Sequence, residues 1–320
     1  MKPKVDYMRV SVTDLCNLRC VYCMPPEGVR RKSHAEILRY EEFERLVRVA
    51  AGIGITRVRI TGGEPLARRG LVRLVEMIGG IDGIRDISMT TNGVFLPGAA
   101  EGLKAAGLHR VNISIDSLRE DRYRRITRVG RLRDALAGVE SALACGFDEV
   151  KINVVVIRGV NDDEVEDFLS FAGGKGIVPR FIEFMPITTR SIWGGNEFLP
   201  ISEVYAVIGR THTLEPSREV AGVGPAVYYA LDGGPELVGL IAPVSRGFCR
   251  ACNRLRLTAD GRIRPCLMSD EEIDVGGPLR SGASDGDLAA VFERAIAGKS
   301  FACDFERHGG SGRKMVEIGG

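Results

Sequence analysis

Between residues 7 and 184, short stretches rich in Val, Ile and Thr alternate with longer stretches whose apolar residues recur at helical spacing. Six strands are predicted, Met8 to Thr13, Arg57 to Thr61, Ile87 to Thr91, Val111 to Asp116, Val150 to Ile157 and Arg180 to Phe184. Helices are predicted over 41–51, 68–79, 97–106, 131–144 and 162–172, with Gly52, Gly79, Gly107, Gly146 and Gly173 placed as C-terminal stops. Strand and helix in strict alternation build a parallel sheet, because each return to the same edge needs a crossover. Six such units are too few for the closed eight-stranded barrel. The expected fold is therefore α/β, an incomplete, TIM-like (βα)6 barrel.

In such folds chemistry collects at the carboxyl ends of the strands. Here those ends carry Thr13, the loop Thr61-Gly-Gly-Glu-Pro65, Thr91-Asn-Gly93, Asp116-Ser117 and Met185-Pro186. After residue 186 the pattern changes to a loop-rich stretch with the only Trp, Trp193, then short strands near 226–231, 237–241, 254–258 and 262–264, and a helix at 286–297. Asp260-Gly261 is a hairpin-turn signal. The predicted division is a barrel over 1–190 and a smaller C-terminal region over 191–320.

Composition narrows the class. At 320 residues and 44% hydrophobic content the chain can bury a large core. A net charge of +2 with no strongly basic half argues against a nucleic-acid partner. No 18-residue apolar run and no signal-like start are present, so the expectation is a cytoplasmic protein with no membrane role. The composition is compatible with a homodimer and does not specify one. Arginine far outnumbers lysine in a chain also rich in Ala and Gly, which reads as coding bias, so only the placement of arginines is informative.

The eight cysteines point to metal or redox chemistry in a reducing compartment. Cys145 reads as a small packed thiol. Cys16, Cys20 and Cys23 are spaced C-x3-C-x2-C directly after the first strand. Three thiolates leave one iron of a 4Fe–4S cube open for a substrate or cofactor, and the short spacings let one loop wrap the cube. A zinc knuckle is the alternative, although zinc favours four protein ligands and no His lies nearby.

This knot, with Tyr22 before its third cysteine, resembles the radical S-adenosylmethionine superfamily. The resemblance implies that the open iron chelates S-adenosylmethionine. It also implies that Gly63 and Glu64 of the Gly-Gly-Glu-Pro loop contact that cofactor, Glu64 through its ammonium group, and that Tyr22, Ser114 and Met185 are cofactor-contacting positions.

A second knot, Cys249, Cys252 and Cys266, is spaced C-x2-C-x13-C around the hairpin Asn253-Arg-Leu-Arg-Leu-Thr258. It suits a second three-cysteine 4Fe–4S cluster, or a zinc site completed by His308 or Cys303. With Arg9, Cys-Val-Tyr-Cys-Met-Pro-Pro-Glu-Gly, Arg-Val-Arg-Ile-Thr-Gly-Gly-Glu-Pro and a terminal Gly319-Gly320, nearly the whole chain is similar to the GTP 3′,8-cyclases of molybdenum cofactor biosynthesis. One departure is the run Lys299-Ser-Phe-Ala-Cys-Asp304, where that family's pattern has Pro and His.

The resemblance implies GTP as substrate, contacted by Arg9, Arg59, Thr90, Lys151, Arg180, Arg254 and Arg256, with the second cluster's open iron on guanine. Arg57 shares a strand face with Arg59, as Arg254 does with Arg256, while a solvated or salt-bridged Arg57 is the alternative. It further implies an external one-electron reductant, a radical reaction joining the ribose 3′ carbon to guanine carbon 8, a downstream pyranopterin-forming enzyme, and Gly319 and Gly320 acting inside the active site. Two residues without side chains can thread a narrow barrel, although a frayed terminus is the simpler reading of the tail. Two rivals remain, a peptide-modifying radical enzyme, which calls for more C-terminal cysteines, and an electron carrier or zinc-stabilised module, which does not need six βα units.

Overall fold

The computed structural model describes residues 4–185, 196–217, 224–300 and 312–319. The described residues form one twelve-stranded sheet. Its strands are β1 (Tyr7–Ser11), β2 (Arg57–Thr61), β3 (Asp86–Thr91), β4 (Arg110–Ser114), β5 (Glu149–Val156), β6 (Ile177–Glu183), β7 (Leu214–Ser217), β8 (Val227–Leu231), β9 (Leu237–Ile241), β10 (Arg254–Leu257), β11 (Arg262–Arg264) and β12 (Ile273–Asp274). The order is β12-β11-β10-β1-β2-β3-β4-β5-β6-β9-β8-β7. Strands β1 to β6 are parallel neighbours, as the βα alternation requires.

The C-terminal strands close both flanks of that six-stranded core. Strand β10 adds to β1 and β9 to β6, each in parallel, while the remaining strands continue outward as antiparallel hairpins. One cavity is lined by residues from β10 at one end through to β9 at the other, so the sheet curls into an open barrel.

Period-two alternation gives the sheet its two faces. Met8, Val10, Val58, Ile60, Val111, Ile113 and Ile152 are fully buried against the outer helices, which contribute Phe43, Leu46, Leu74, Leu103 and Phe168. The alternate positions, such as Arg9, Arg59, Thr90, Ser114 and Arg180, face the barrel interior and line the cavity.

The helices follow the predicted spans, four of them starting one to three residues later. The segment predicted from 68 is helical over Leu71–Gly79, because Pro65–Ala67 forms a 3-10 turn and Gly70 takes φ +75. Four described helices lack a sequence signal, Glu120–Thr127, Ile201–Ile208, Gly276–Arg280 and Met315–Ile318. In the first, five charged side chains surround the few buried ones, Tyr123, Ile126 and Thr127, which hides the apolar stripe. No described helix is long and apolar enough to cross a membrane. Trp193, Cys303, His308 and Gly320 lie outside the described residues.

The helix Leu132–Ala144 lies so close to the turn after β3 that a Cβ at Gly138 would fall 2.2 Å from the Gly93 carbonyl oxygen. Gly138→Ala gains about 1 kcal/mol of helix propensity, but a contact with backbone cannot be relieved by a rotamer change. Overpacking of roughly 2–3 kcal/mol should outweigh the gain. Thermal denaturation is expected to show a lowered midpoint, where propensity alone would raise it.

Candidate active site

The loop after β1 is shaped by backbone pairing and by its own arginine. Arg19 N donates to Thr127 O at 3.1 Å and Val21 N to Ile126 O at 2.9 Å. The Arg19 guanidinium donates to the carbonyls of Cys16 (2.7 Å) and Leu18 (2.8 Å), while Arg128 donates to those of Arg19 and Met24. Val21 is buried in a small apolar cluster with Ile126, Ile157, Val160 and Phe184. With Val21 anchored behind the loop, Cys16, Cys20, Tyr22 and Cys23 all line the cavity.

Their surroundings favour neutral thiols in the absence of a metal. Burial pushes Cys16 up to about 11 and Cys23 up to about 12, and raises Cys20, with neighbouring thiols and Asp116 adding to the effect on Cys20 and Cys23. Leu18 N donates to Cys16 Sγ at 3.4 Å. The Tyr22 hydroxyl donates to Asp116 Oδ2 at 2.6 Å, and the ring stacks edge-on against Phe184. Asp116 Oδ1 accepts from Val155 N, and burial raises this carboxyl to about 6 against those two bonds.

The Gly-Gly-Glu-Pro loop needs its glycines. A Cβ on Gly62 would meet Thr13 O at 2.8 Å, and one on Gly63 would meet Leu15 O at 2.4 Å and Val316 Cγ2 at 2.8 Å. Both glycines line the cavity. Glu64 is buried beneath them, accepting from Leu66 N (3.1 Å), the Thr91 hydroxyl (2.7 Å) and Asn92 N (2.7 Å). Burial raises its carboxyl to about 7 despite those donors. Ser114 and Met185 line the same cavity.

The second knot enters beside the same strand but at its other end, because Cys249 and Cys252 precede β10, which runs parallel to β1. Cys249–Ala251 is a 3-10 turn leading into β10, and Cys266 follows β11, so Cys249, Cys252 and Cys266 all reach the same cavity. Burial alone would raise the Cys252 thiol, but Arg254 and Lys299 bring it down to about 7. Lys299, 3% exposed, donates to the carbonyls of Arg254 (2.8 Å) and Pro265 (2.5 Å), and had no sequence signal. Among the described residues no three His, Cys, Asp or Glu side chains are arranged to hold a single metal ion.

Register aligns the cations. Arg9 on β1 is opposite Arg59 on β2 and opposite Arg256 on β10, so three arginines stand side by side. Burial, then Arg256 and the other arginines, hold the Arg9 guanidinium well below its usual range, and Arg256 falls to about 9 through burial and Arg254. Arg59 donates to Ser88 Oγ at 3.1 Å, and Arg180 to Asn153 Oδ1 (2.9 Å) and Asn112 Oδ1 (2.5 Å). The described lining includes Arg9, Arg59, Arg180, Arg254, Arg256 and Lys299 against two acids, Asp116 and Glu183. The Glu183 carboxylate is already capped by the amides of Ile201, Val244 and Ser245. Buried Tyr7 Oη and Thr90 Oγ1, also at the cavity, have no hydrogen-bond partner among the described residues.

Two expected substrate residues are not among the cavity lining. Arg57 pairs with Asp6, which also accepts from Asn253. Lys151 pairs with Glu149 beside the Tyr228 ring, and burial lowers its ammonium to about 7. Gly319 takes φ +78, and its carbonyl accepts from Arg256 Nη1 at 2.8 Å and from the Thr61 hydroxyl at 3.5 Å. Cys145 packs at the edge of the main core.

A barrel of this topology with a three-cysteine loop after its first strand is the arrangement of radical S-adenosylmethionine proteins, and residues 10–172 match the model of the Radical SAM superfamily. Residues 177–305 match that of Molybdenum Cofactor Synthesis C. The chain is 50% identical over 317 residues to the GTP 3′,8-cyclase of Moorella thermoacetica, covering 99% of this chain and 98% of the relative. It is 49% identical over 318 residues to that of Pelotomaculum thermopropionicum, with the same coverage. At this likeness over full length, the chain belongs to the GTP 3′,8-cyclase family. A solved structure of Streptococcus suis SuiB bound to S-adenosylmethionine shares the fold, with a TM-score of 0.62 at 14% identity over 99% of this chain and 72% of that one.

The close approach at Gly63 yields a direct test. Gly63→Ala should displace both the Leu15 carbonyl and Val316, loosening the first knot and the tail together, at a cost of about 1–3 kcal/mol. Iron retention after anaerobic reconstitution is expected to drop below that of the unmodified protein, whereas full retention would show that the loop tolerates a side chain.

Proposed function

We propose that this chain is a radical S-adenosylmethionine enzyme that converts GTP to 3′,8-cyclo-7,8-dihydro-GTP in molybdenum cofactor biosynthesis. The observation that carries the reading is that two three-cysteine knots and six cations line one cavity of about 330 Å³. Three thiols per knot fit a 4Fe–4S cluster with one iron open, and the Tyr7 and Thr90 oxygens, unpartnered among the described residues, fit a polar occupant between the knots. Cys16, Cys20 and Cys23 hold the first cluster, and Cys249, Cys252 and Cys266 the second.

When bound, the first cluster and S-adenosylmethionine supply the electron transfer and the carbon radical that start the reaction. The chain's residues supply placement. Gly63 lets the loop backbone approach the cofactor, Tyr22, Ser114 and Met185 flank it, and Glu64 shapes the loop from beneath. Arg9, Arg59, Thr90, Arg180, Arg254 and Arg256 receive GTP, since forked guanidinium groups match phosphate oxygens and a triphosphate offsets the mutual repulsion of the row. Arg57 and Lys151 act behind this row, through Asp6 and Glu149. Gly319 and Gly320 work at the reacting end. Barrel walls that exclude water protect a radical from competing hydrogen donors and hold the ribose for attack on its own base.

A one-electron reductant and a pyranopterin-forming enzyme for the product complete the partners, and the reaction is cytoplasmic. The division at 1–190 and 191–320 separates cofactor cleavage from guanine binding, with the two parts sharing one sheet.

The two knots are separable by experiment. Cys20→Ala should remove roughly half the iron and all 5′-deoxyadenosine formation, whereas Cys252→Ala should lose a similar share of iron and cyclised product while cleavage of S-adenosylmethionine continues. Zinc in the second knot of anaerobically prepared protein would contradict the assignment. Arg254→Ala and Arg256→Ala should each weaken GTP binding by roughly 1.5–3 kcal/mol, the scale of a charge-assisted hydrogen bond. Unchanged affinity in both would remove them from the site.

A further inference from the structure

The C-terminal segment is tied to the second-knot hairpin by one side chain. Arg313 is about four-fifths buried. It donates through Nη1 to Asp260 Oδ1 (3.1 Å) and through Nη2 to Glu272 Oε2 (2.8 Å), with further ion-pair contacts to Asp260 Oδ2 (3.0 Å) and Glu272 Oε1 (2.7 Å). Asp260 is the turn residue between β10 and β11, the hairpin that carries Arg254 and Arg256 and leads to Cys266. Beyond Arg313 the chain makes a short helix, Met315–Ile318, whose Val316 and Ile318 are 1% exposed, and ends its described course with the Gly319 carbonyl on Arg256.

We propose that Arg313 is a positioning residue that locks the tail to the hairpin, so that Gly319 and the arginines of β10 are held at the cavity wall as one unit. This rests on the proposed role of the Gly-Gly end. One feature sets the latch apart from ordinary packing. Each acid it grips keeps another cation when Arg313 is gone, Asp260 with Lys32 at 2.9 Å and Glu272 with Arg264, so the hairpin retains its own pairs when the tail is released. Lysine cannot replace the fork, since a single ammonium does not span two carboxylates in the plane that guanidinium does.

The test uses the full chain with both clusters reconstituted, as Arg313→Ala, Arg313→Lys and a deletion of Gly319 and Gly320. For Arg313→Ala the expectation is faster amide hydrogen exchange over 312–319, unchanged iron content, and kcat for cyclised product lower by about tenfold or more with KM for GTP little changed. Arg313→Lys should fall between Arg313→Ala and the unmodified protein on exchange and kcat alike. Unchanged exchange in Arg313→Ala, or a loss of iron and folding along with activity, would overturn the latch. If the deletion stops product but Arg313→Ala does not, the latch fails while the reading of the tail stands. If the deletion forms full product, that reading fails, and exchange over 312–319 alone decides whether Arg313 holds the segment.

Discussion

Backbone pairing in the parallel sheet sets Arg256, Arg9 and Arg59 side by side on the inner face of the barrel. Three guanidinium groups in adjacent positions repel, and burial removes the water that would screen them. Register cannot relieve this without moving Val10, Val58 and Leu255 off the helix-covered face, because a one-residue slip exchanges the two faces of a strand. Register therefore fixes a positive interior, which in the proposed reading is what receives the triphosphate of GTP.

The same sheet brings the two knots together. Strand β1 leads into the first knot, and β10 pairs with β1 directly after the second. A six-stranded core would leave that edge open to solvent and to other chains, and closing it with β10 places the second set of thiols across the cavity from the first. The C-terminal segment fills the gap at this seam. Val316 packs over Gly63, and Gly319 sits where its carbonyl meets Arg256 and where a Cβ would come 2.6 Å from the Thr61 hydroxyl. Small residues are required at both contacts.

Much of this was legible in the residues. Strict βα alternation identified β1 to β6, and the cysteine spacing identified both knots, because strand period and ligand spacing are local properties. The flanking strands β8 to β11 were also visible as short β-rich runs, but their pairing to opposite edges of the barrel was not, since register between distant segments leaves no local trace. Lys299 and Arg313 had no signal for the same reason, each acting on partners far away in sequence. Arg57 and Lys151 share strand faces with cavity residues, yet Asp6 and Glu149 bind them outside the lining, and only the neighbouring carboxylates explain that. The polar loops Thr91-Asn-Gly93 and Asp116-Ser117 stood out as strand ends, and Glu64 and Tyr22 as site residues, while the hydrogen bonds that join them emerged only from the fold.

The central claim is that one cavity joins a radical source to a nucleotide held by arginines. Its most direct measurement is an anaerobic incubation of the reconstituted full chain with GTP, S-adenosylmethionine and dithionite, followed by mass analysis of both products. The account predicts 5′-deoxyadenosine together with 3′,8-cyclo-7,8-dihydro-GTP. Formation of 5′-deoxyadenosine with GTP recovered unchanged would contradict it.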